Sequence, residues 1–184
     1  HGIPVQVDLP GVGENLQDHL NVRMCWESKI EQMIPMIICE RSMFTFTRTG
    51  VPLASPDLQL FFGGFAFPGL GADFNRGFAL VPVVCRPQSV GRVWLRSRNP
   101  MDPLNILTNY LTCDYDMSVL LAGIDLGRQI VATHAFDEMR GKELIPGPAI
   151  GNDKQKLRKY IKDTCITDWH PSGTRLAYTG LVGT

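Results

Sequence analysis

The run Phe-Ala-Leu-Val-Pro-Val-Val-Cys at residues 78–85 constrains the fold more than any other stretch. It is almost continuously apolar and β-rich, with no polar face alternating through it, as expected of a strand covered on both sides. Such a strand needs neighbours along its edges and layers above and below. Upstream, Leu58, Leu60 and Phe62 alternate with Gln59 and Phe61, which predicts a second strand with one buried face. The glycine- and proline-rich stretch between them, residues 63–77, reads as a loop. Downstream, residues 91–97 alternate strictly, with Val93 and Leu95 on one side and Arg92, Trp94 and Arg96 on the other. The short connection at 86–90 predicts a hairpin that makes 78–85 and 91–97 antiparallel neighbours. Val5 and Val7 predict a short strand ending at Pro10, and residues 20–27 predict another. Residues 29–56, interrupted by Pro35, Pro52 and Pro56, give no clear pattern.

The period then changes. Met117, Leu120, Leu121, Ile124 and Val131 share one helical face, with Thr112 or Asp114 as the expected cap and an end near Thr133. A second helix is expected from Asn152, with Gln155 in capping-box spacing, a stripe of Leu157, Tyr160 and Ile161, and an end by Thr164. Strands first and helices afterwards predict an α+β fold, an antiparallel sheet backed by helices. A chain of 184 residues can bury a real core within a single domain.

Charge excludes several partners. Lys plus Arg and Asp plus Glu number 18 each, so no net field draws the chain to nucleic acid or an anionic membrane. The one dense basic run, Lys154, Lys156, Arg158 and Lys159, reads as the solvated face of the second helix. No apolar run is long enough to span a bilayer. The five cysteines, Cys25, Cys39, Cys85, Cys113 and Cys165, form no C-x-x-C pair. They read as free thiols rather than a zinc site or redox dithiol, which leans slightly towards the cytoplasm.

Few residues carry candidate chemistry. The Gly11-Val12-Gly13 turn follows an expected strand, but a dinucleotide fingerprint needs glycine where Leu16 stands. A structural turn fits better, with Asn15, Asp18 and His19 bonding backbone that the turn leaves unpaired. Of the four histidines, His1 and His134 read as solvent-facing, and no two stand at metal-ligand spacing. Ser172 lacks a nucleophile elbow, and the five-residue spacing of Cys165 and His170 does not make a dyad. Pattern alone favours a structural His170 over a catalytic one. Its neighbours Trp169 and Pro171-Ser172-Gly173-Thr174 do suggest a ring held rigidly at a loop or strand end.

Several blocks, taken together and in order, resemble the glucose–methanol–choline (GMC) family of flavin-dependent alcohol oxidoreductases. They are Leu-Pro-Gly-Val-Gly-Glu-Asn-Leu-Gln-Asp-His at 9–19, Gly-Arg-Val-Trp-Leu-Arg-Ser at 91–97, Asn99-Pro100 with Pro103, and Asn109-Tyr110-Leu111. Arg-Gly-Lys-Glu-Leu-Ile-Pro-Gly-Pro at 140–148 and His170-Pro171-Ser172-Gly173-Thr174 complete the series. The resemblance implies a substrate-binding domain at 21–184, preceded at 1–20 by a residual piece of the FAD-binding domain. It implies FAD as cofactor, a small alcohol as substrate, and His170 as the catalytic base that takes the hydroxyl proton while hydride passes to the flavin.

The same comparison predicts an incomplete chain. Residue 1 falls after the family's amino-terminal G-x-G-x-x-G segment. Residue 184 falls before its second active-site position, and the residues after Thr174 depart from the family's usual Cys-x-Met-Gly. The chain alone is therefore expected neither to bind FAD tightly nor to turn over, and no cofactor-binding residue is assigned within it. Two alternatives stay open: a relative that uses the same histidine to cleave cyanohydrins, or a non-catalytic truncated remnant. The particular alcohol, the electron acceptor and the oligomeric state have no signature in the chain.

Overall fold

A computed structural model describes residues 2–32, 41–47 and 52–175. The chain runs β1 (Leu20–Asn21), β2 (Met24–Ser28), β3 (Arg41–Thr45), β4 (Leu58–Gly63), β5 (Gly77–Val84), β6 (Arg92–Trp94), β7 (Asn105–Leu107) and α1 (Asp114–Val131). A 3-10 turn at His134–Phe136, β8 (Arg140–Ile145), α2 (Lys154–Thr164) and β9 (Ile166–Thr167) follow. Seven strands form one antiparallel sheet around β5, while β6 and β7 pair separately as a two-stranded ribbon. The expected α+β class is the observed one.

The apolar run at 78–85 does what its composition requires. Strand β5 pairs with β4 along one edge and with β1 and β2 along the other. Leu80 and Val84 join the buried cluster beneath α1 and α2, together with Leu58, Leu60, Met117, Leu120, Ile124, Leu157 and Ile161. The opposite face of the sheet carries Ala79, Val81 and Phe61, which line a pocket with Phe65 and Phe67 of the 64–76 loop.

Proline in a central strand removes a ladder donor, and Pro82 has a visible effect. Asn21 pairs with Val83 and Met24 with Leu80, so β1 and β2 keep one register along β5 but are interrupted at Val22 and Arg23, opposite Pro82. Val22 N–H still donates to the Pro82 carbonyl at 3.1 Å. The Arg23 carbonyl accepts from the Tyr160 hydroxyl at 2.6 Å. The single strand expected at 20–27 is thus two short ones. Beyond the break, each has its own outer partner: β9 for β1 and β8 for β2.

Helix α1 lies close against the sheet through two glycines one helical turn apart. A Cβ on Gly123 would stand 2.6 Å from the Pro82 Cβ, and one on Gly127 would stand 2.9 Å from the Met24 Sδ.

Other expectations are corrected. The 78–97 hairpin does not form, because both edges of β5 are already occupied; β6 pairs instead with β7, Val93 opposite Ile106. Residues 5–10 form no strand, and Val5 and Val7 are exposed. Strands do not all precede helices, since β8 and β9 return to the sheet after α1.

Helix α1 begins at Asp114 with Cys113 at the cap position, rather than Thr112 or Asp114. The buried Asp116 carboxylate accepts from the backbone N–H groups of Gln88 and Ser89 at 2.8 and 3.0 Å. The cap of α2 is Asp153, whose carboxylate accepts from the Gln155 and Lys156 N–H groups, one residue beyond the expected Asn152. Asn152 instead accepts from Arg128. The basic run does lie on the outer face of α2, where Arg158 pairs with Asp114 and Lys159 with Asp163.

Candidate functional site

The His170 loop is assembled from the two ends of the chain. Strand β9 pairs with β1, Leu20 opposite Thr167. Asp168 N–H donates to the His19 carbonyl at 2.8 Å, Gln17 and Ser172 exchange backbone bonds of 2.9 and 2.8 Å, and Gly13 N–H donates to the Thr174 carbonyl at 2.7 Å. His170 is therefore clamped on both sides by residues 13–20. Gly173 is required for this closeness: its φ is +90°, and a Cβ there would come within 2.2 Å of the Asn15 carbonyl oxygen. Trp169 adopts φ +57° without glycine's freedom. A left-handed conformation costs a bulky residue roughly 1–2 kcal/mol, which the surrounding bonds must offset.

Those bonds converge on Asp18, whose carboxylate is buried. It accepts from the Tyr110 hydroxyl at 2.6 Å, the Thr167 hydroxyl at 2.5 Å and the His170 backbone N–H at 3.2 Å. Burial and the hydrogen bond to Asp18 push the Tyr110 phenol up to about 12, so it remains a donor at every working pH. The Thr167 hydroxyl in turn accepts from Trp169 N–H at 2.9 Å. Asp18 was expected to brace the glycine turn, and it braces the His170 loop instead. Sequence reading missed this because the partners stand 92 to 152 residues away.

The His170 side chain is 52% exposed. Its Nδ1 lies 3.1 Å from the Nδ1 of His19 and 3.6 Å from the Asp168 Oδ2. Asp168 is held in turn by Asn21, whose amide donates to Oδ1 at 3.0 Å. His19 is half-buried, and burial, with the adjacent His170, lowers its pKa below the ordinary 6.5.

His170 and Trp169 stand at one side of a cavity of about 370 Å³ lined by Phe61, Phe62, Phe65 and Phe67. Arg23 lies over the Phe67 ring, 4.7 Å from its centre. Phe65 and Phe67 come from a stretch that reads only as a loop; their aromatic spacing was the available signal.

The remaining candidates fall away from this centre. His134 is fully exposed beside Asp137, and His1 lies outside the described residues. Ser172 contributes backbone pairing to the Gln17 bridge. Cys25, Cys85, Cys113 and Cys165 are free thiols, with Cys85 pushed up by burial to about 11 and so inert near neutrality; Cys39 lies outside the described residues. Among the described residues no cluster suits a metal ion, and no helix is long and apolar enough to cross a membrane.

The amides of the glycine turn are already engaged. Val12 N–H donates to Leu9, Gly13 to Thr174 and Glu14 to Gly11. That loop has no free nest for a pyrophosphate. An accessible imidazole beside an aromatic pocket would suit the ring of a flavin, whereas the glycine turn offers no site for its phosphates.

Residues 87–176 match the family model described as GMC oxidoreductase. Across 95% of the chain there is 38% identity to a choline oxidase of Arthrobacter globiformis, of which the chain covers 33%. Across 94% there is 34% identity to an oxygen-dependent choline dehydrogenase of Chromohalobacter salexigens, of which it covers 35%. The chain therefore spans about a third of the length of these curated relatives. Its fold superposes on a pyridoxine 4-oxidase from Mesorbium loti with a TM-score of 0.77 at 23% identity, over 94% of this chain and 35% of that one. Over residues 87–176 the chain is therefore similar to GMC oxidoreductases, and it shares the antiparallel-sheet fold of that solved structure.

Proposed function

We propose that this chain is the substrate-side portion of an FAD-dependent enzyme that oxidises an alcohol, with His170 accepting the hydroxyl proton of the CH–OH donor. In this reading residues 1–20 close the FAD-binding domain and 21–184 belong to the substrate domain. The observation that carries it is a half-exposed imidazole at the side of an aromatic cavity, on a loop tied down on both sides. A neutral imidazole can take a proton from a hydroxyl without a metal. The flavin, when bound, supplies the acceptor for the hydride. This chain's residues bind the alcohol, orient it and remove its proton.

The lining also bears on which alcohol. The Phe67 ring face, where a quaternary ammonium would dock by cation–π attraction, already carries the Arg23 guanidinium. Phe61, Phe62 and Phe65 offer hydrocarbon surface. The pocket therefore suits an uncharged alcohol with an apolar or aromatic body better than it suits choline.

The test is His170→Ala in the flavin-loaded, full-length protein that carries this chain. Anaerobic flavin reduction by alcohol should fall by about 10²–10⁴, the usual contribution of a positioned base, with flavin content preserved. Near-normal reduction would remove His170 from the chemistry. Release of hydrogen cyanide from a cyanohydrin with the flavin still oxidised would replace oxidation by lyase chemistry.

A further inference from the structure

We propose that His19 is a positioning residue that selects the working tautomer of His170. The inference rests on the reading of His170 as the base. Two imidazole Nδ1 atoms 3.1 Å apart form one hydrogen bond, so one carries the proton and the other presents its lone pair. If His170 were the acceptor, its neutral ring would hold its proton on Nε2 and have no lone pair left for an alcohol. If His170 is the donor, Nε2, on the far side of the ring from His19, is the free base.

A second group decides between these arrangements. The Asp168 Oδ2 stands 3.6 Å from the His170 Nδ1, and its negative charge favours a proton on that nitrogen. The half-buried His19 then presents its Nδ1 lone pair to the His170 Nδ1–H and carries its own proton on Nε2. Which nitrogen of a histidine is protonated is set by the hydrogen bond made by the other.

The surroundings keep His19 neutral and give His170 no better acceptor. Asp18 and Asp168 raise the His19 pKa, but burial and the neighbouring His170 outweigh them and lower it overall. Cys85 and Arg86 line the small cavity beside His19. Asp168 Oδ2, at 3.6 Å, is too far to accept a hydrogen bond from His170 and is tethered through Asn21. Its charge favours a proton on the His170 Nδ1, the same side that His19 selects.

The tautomer can be read directly from two-bond 1H–15N correlation spectra of the 15N-labelled chain at pH 8, where four histidines are present to assign. In the wild type, His170 should show a protonated Nδ1 and a bare Nε2. His19→Asn, whose side-chain oxygen replaces the Nδ1 acceptor, should keep that pattern, and His19→Ala should move His170 towards the Nε2–H form. A wild-type His170 already in the Nε2–H form overturns the proposal, as does a pattern unchanged in His19→Ala. If His19→Ala does not fold, the wild-type spectrum decides alone.

In the flavin-loaded full-length protein, His19→Ala should slow flavin reduction about tenfold or more, within the range a base contributes. KM should stay near the wild-type value, and His19→Asn should restore most of the rate. A shifted tautomer with an unchanged rate overturns the positioning role. Should His170→Ala keep its activity, the base reading fails separately, and the spectra still report the tautomer.

Discussion

Removing the Asp18 carboxylate tests how much of the site's rigidity rests on one buried charge. Three donors point at it: the hydroxyls of Tyr110 and Thr167 and the backbone N–H of His170. A hydrogen bond to a charged acceptor contributes about 1.5–3 kcal/mol, and a donor left bare in a buried site costs about 1–3 kcal/mol. These terms overlap, and water admitted into the space recovers part of them, so Asp18→Ala should destabilise the chain by about 3–4 kcal/mol.

Asp18→Asn is a sharper probe. Both hydroxyls can rotate and accept from the new amide, whereas the His170 N–H can only donate. The single remaining side-chain oxygen must therefore serve His170, and the expected cost is about 1–2 kcal/mol. Urea denaturation followed by tryptophan fluorescence gives both numbers, because Trp169 neighbours the released loop and Trp26 sits in the core. In a double-mutant cycle, Tyr110→Phe should cost about 1.5 kcal/mol or more alone and far less beside Asp18→Ala, since its acceptor is already gone. Strict additivity, or a loss below about 1 kcal/mol for Asp18→Ala, would refute the view that this carboxylate organises the loop.

The two α1 glycines should respond differently to alanine. Gly123→Ala drives a Cβ against the Pro82 ring, fixed in the central strand, and should cost about 1–2 kcal/mol even after the helix-propensity gain of about 1 kcal/mol. Gly127→Ala meets the flexible end of Met24, and thermal melts should show it at least about 1 kcal/mol milder. The pH dependence follows from His19, whose folded pKa lies below 6.5. Between the folded and unfolded values the unfolded chain binds more protons, so this part of the stability is complete above about pH 6.5 and is lost as pH falls through the folded value. His19→Asn should flatten urea midpoints measured from pH 7.5 to 5, and an unaltered slope would contradict the assignment.

Strands β4 and β5 and helices α1 and α2 were legible because each has a period or an apolar run that only one geometry satisfies. Leu58 and Leu60 face the helices as their alternation requires, and Leu157 and Ile161 do so from the other side. The 78–97 hairpin failed for a non-local reason: whether β5 has a free edge depends on β1, β2 and β4, and residues 86–97 hold no trace of them. Strand β8 was missed because Arg140–Ile145 mixes charge with apolar residues, and β9 because two residues carry no period. The alternation of Val5 and Val7 was real but found no partner strand, and both side chains remain in solvent. At the site, His170 was picked out by motif likeness, since local pattern alone ranked it as structural. Asp18, Tyr110 and Thr167 become a unit only once the chain has closed on itself.

That closure governs when the site can exist at all. Residues 13–21 meet 166–174 across about 150 positions, and loop closure of that span must occur before any of their bonds can form. Sheet and helices can assemble while the imidazole still wanders. Order around His170 should therefore appear late in folding and vanish early under stress, which makes it a sensitive gauge of whether the whole chain has reached its native state.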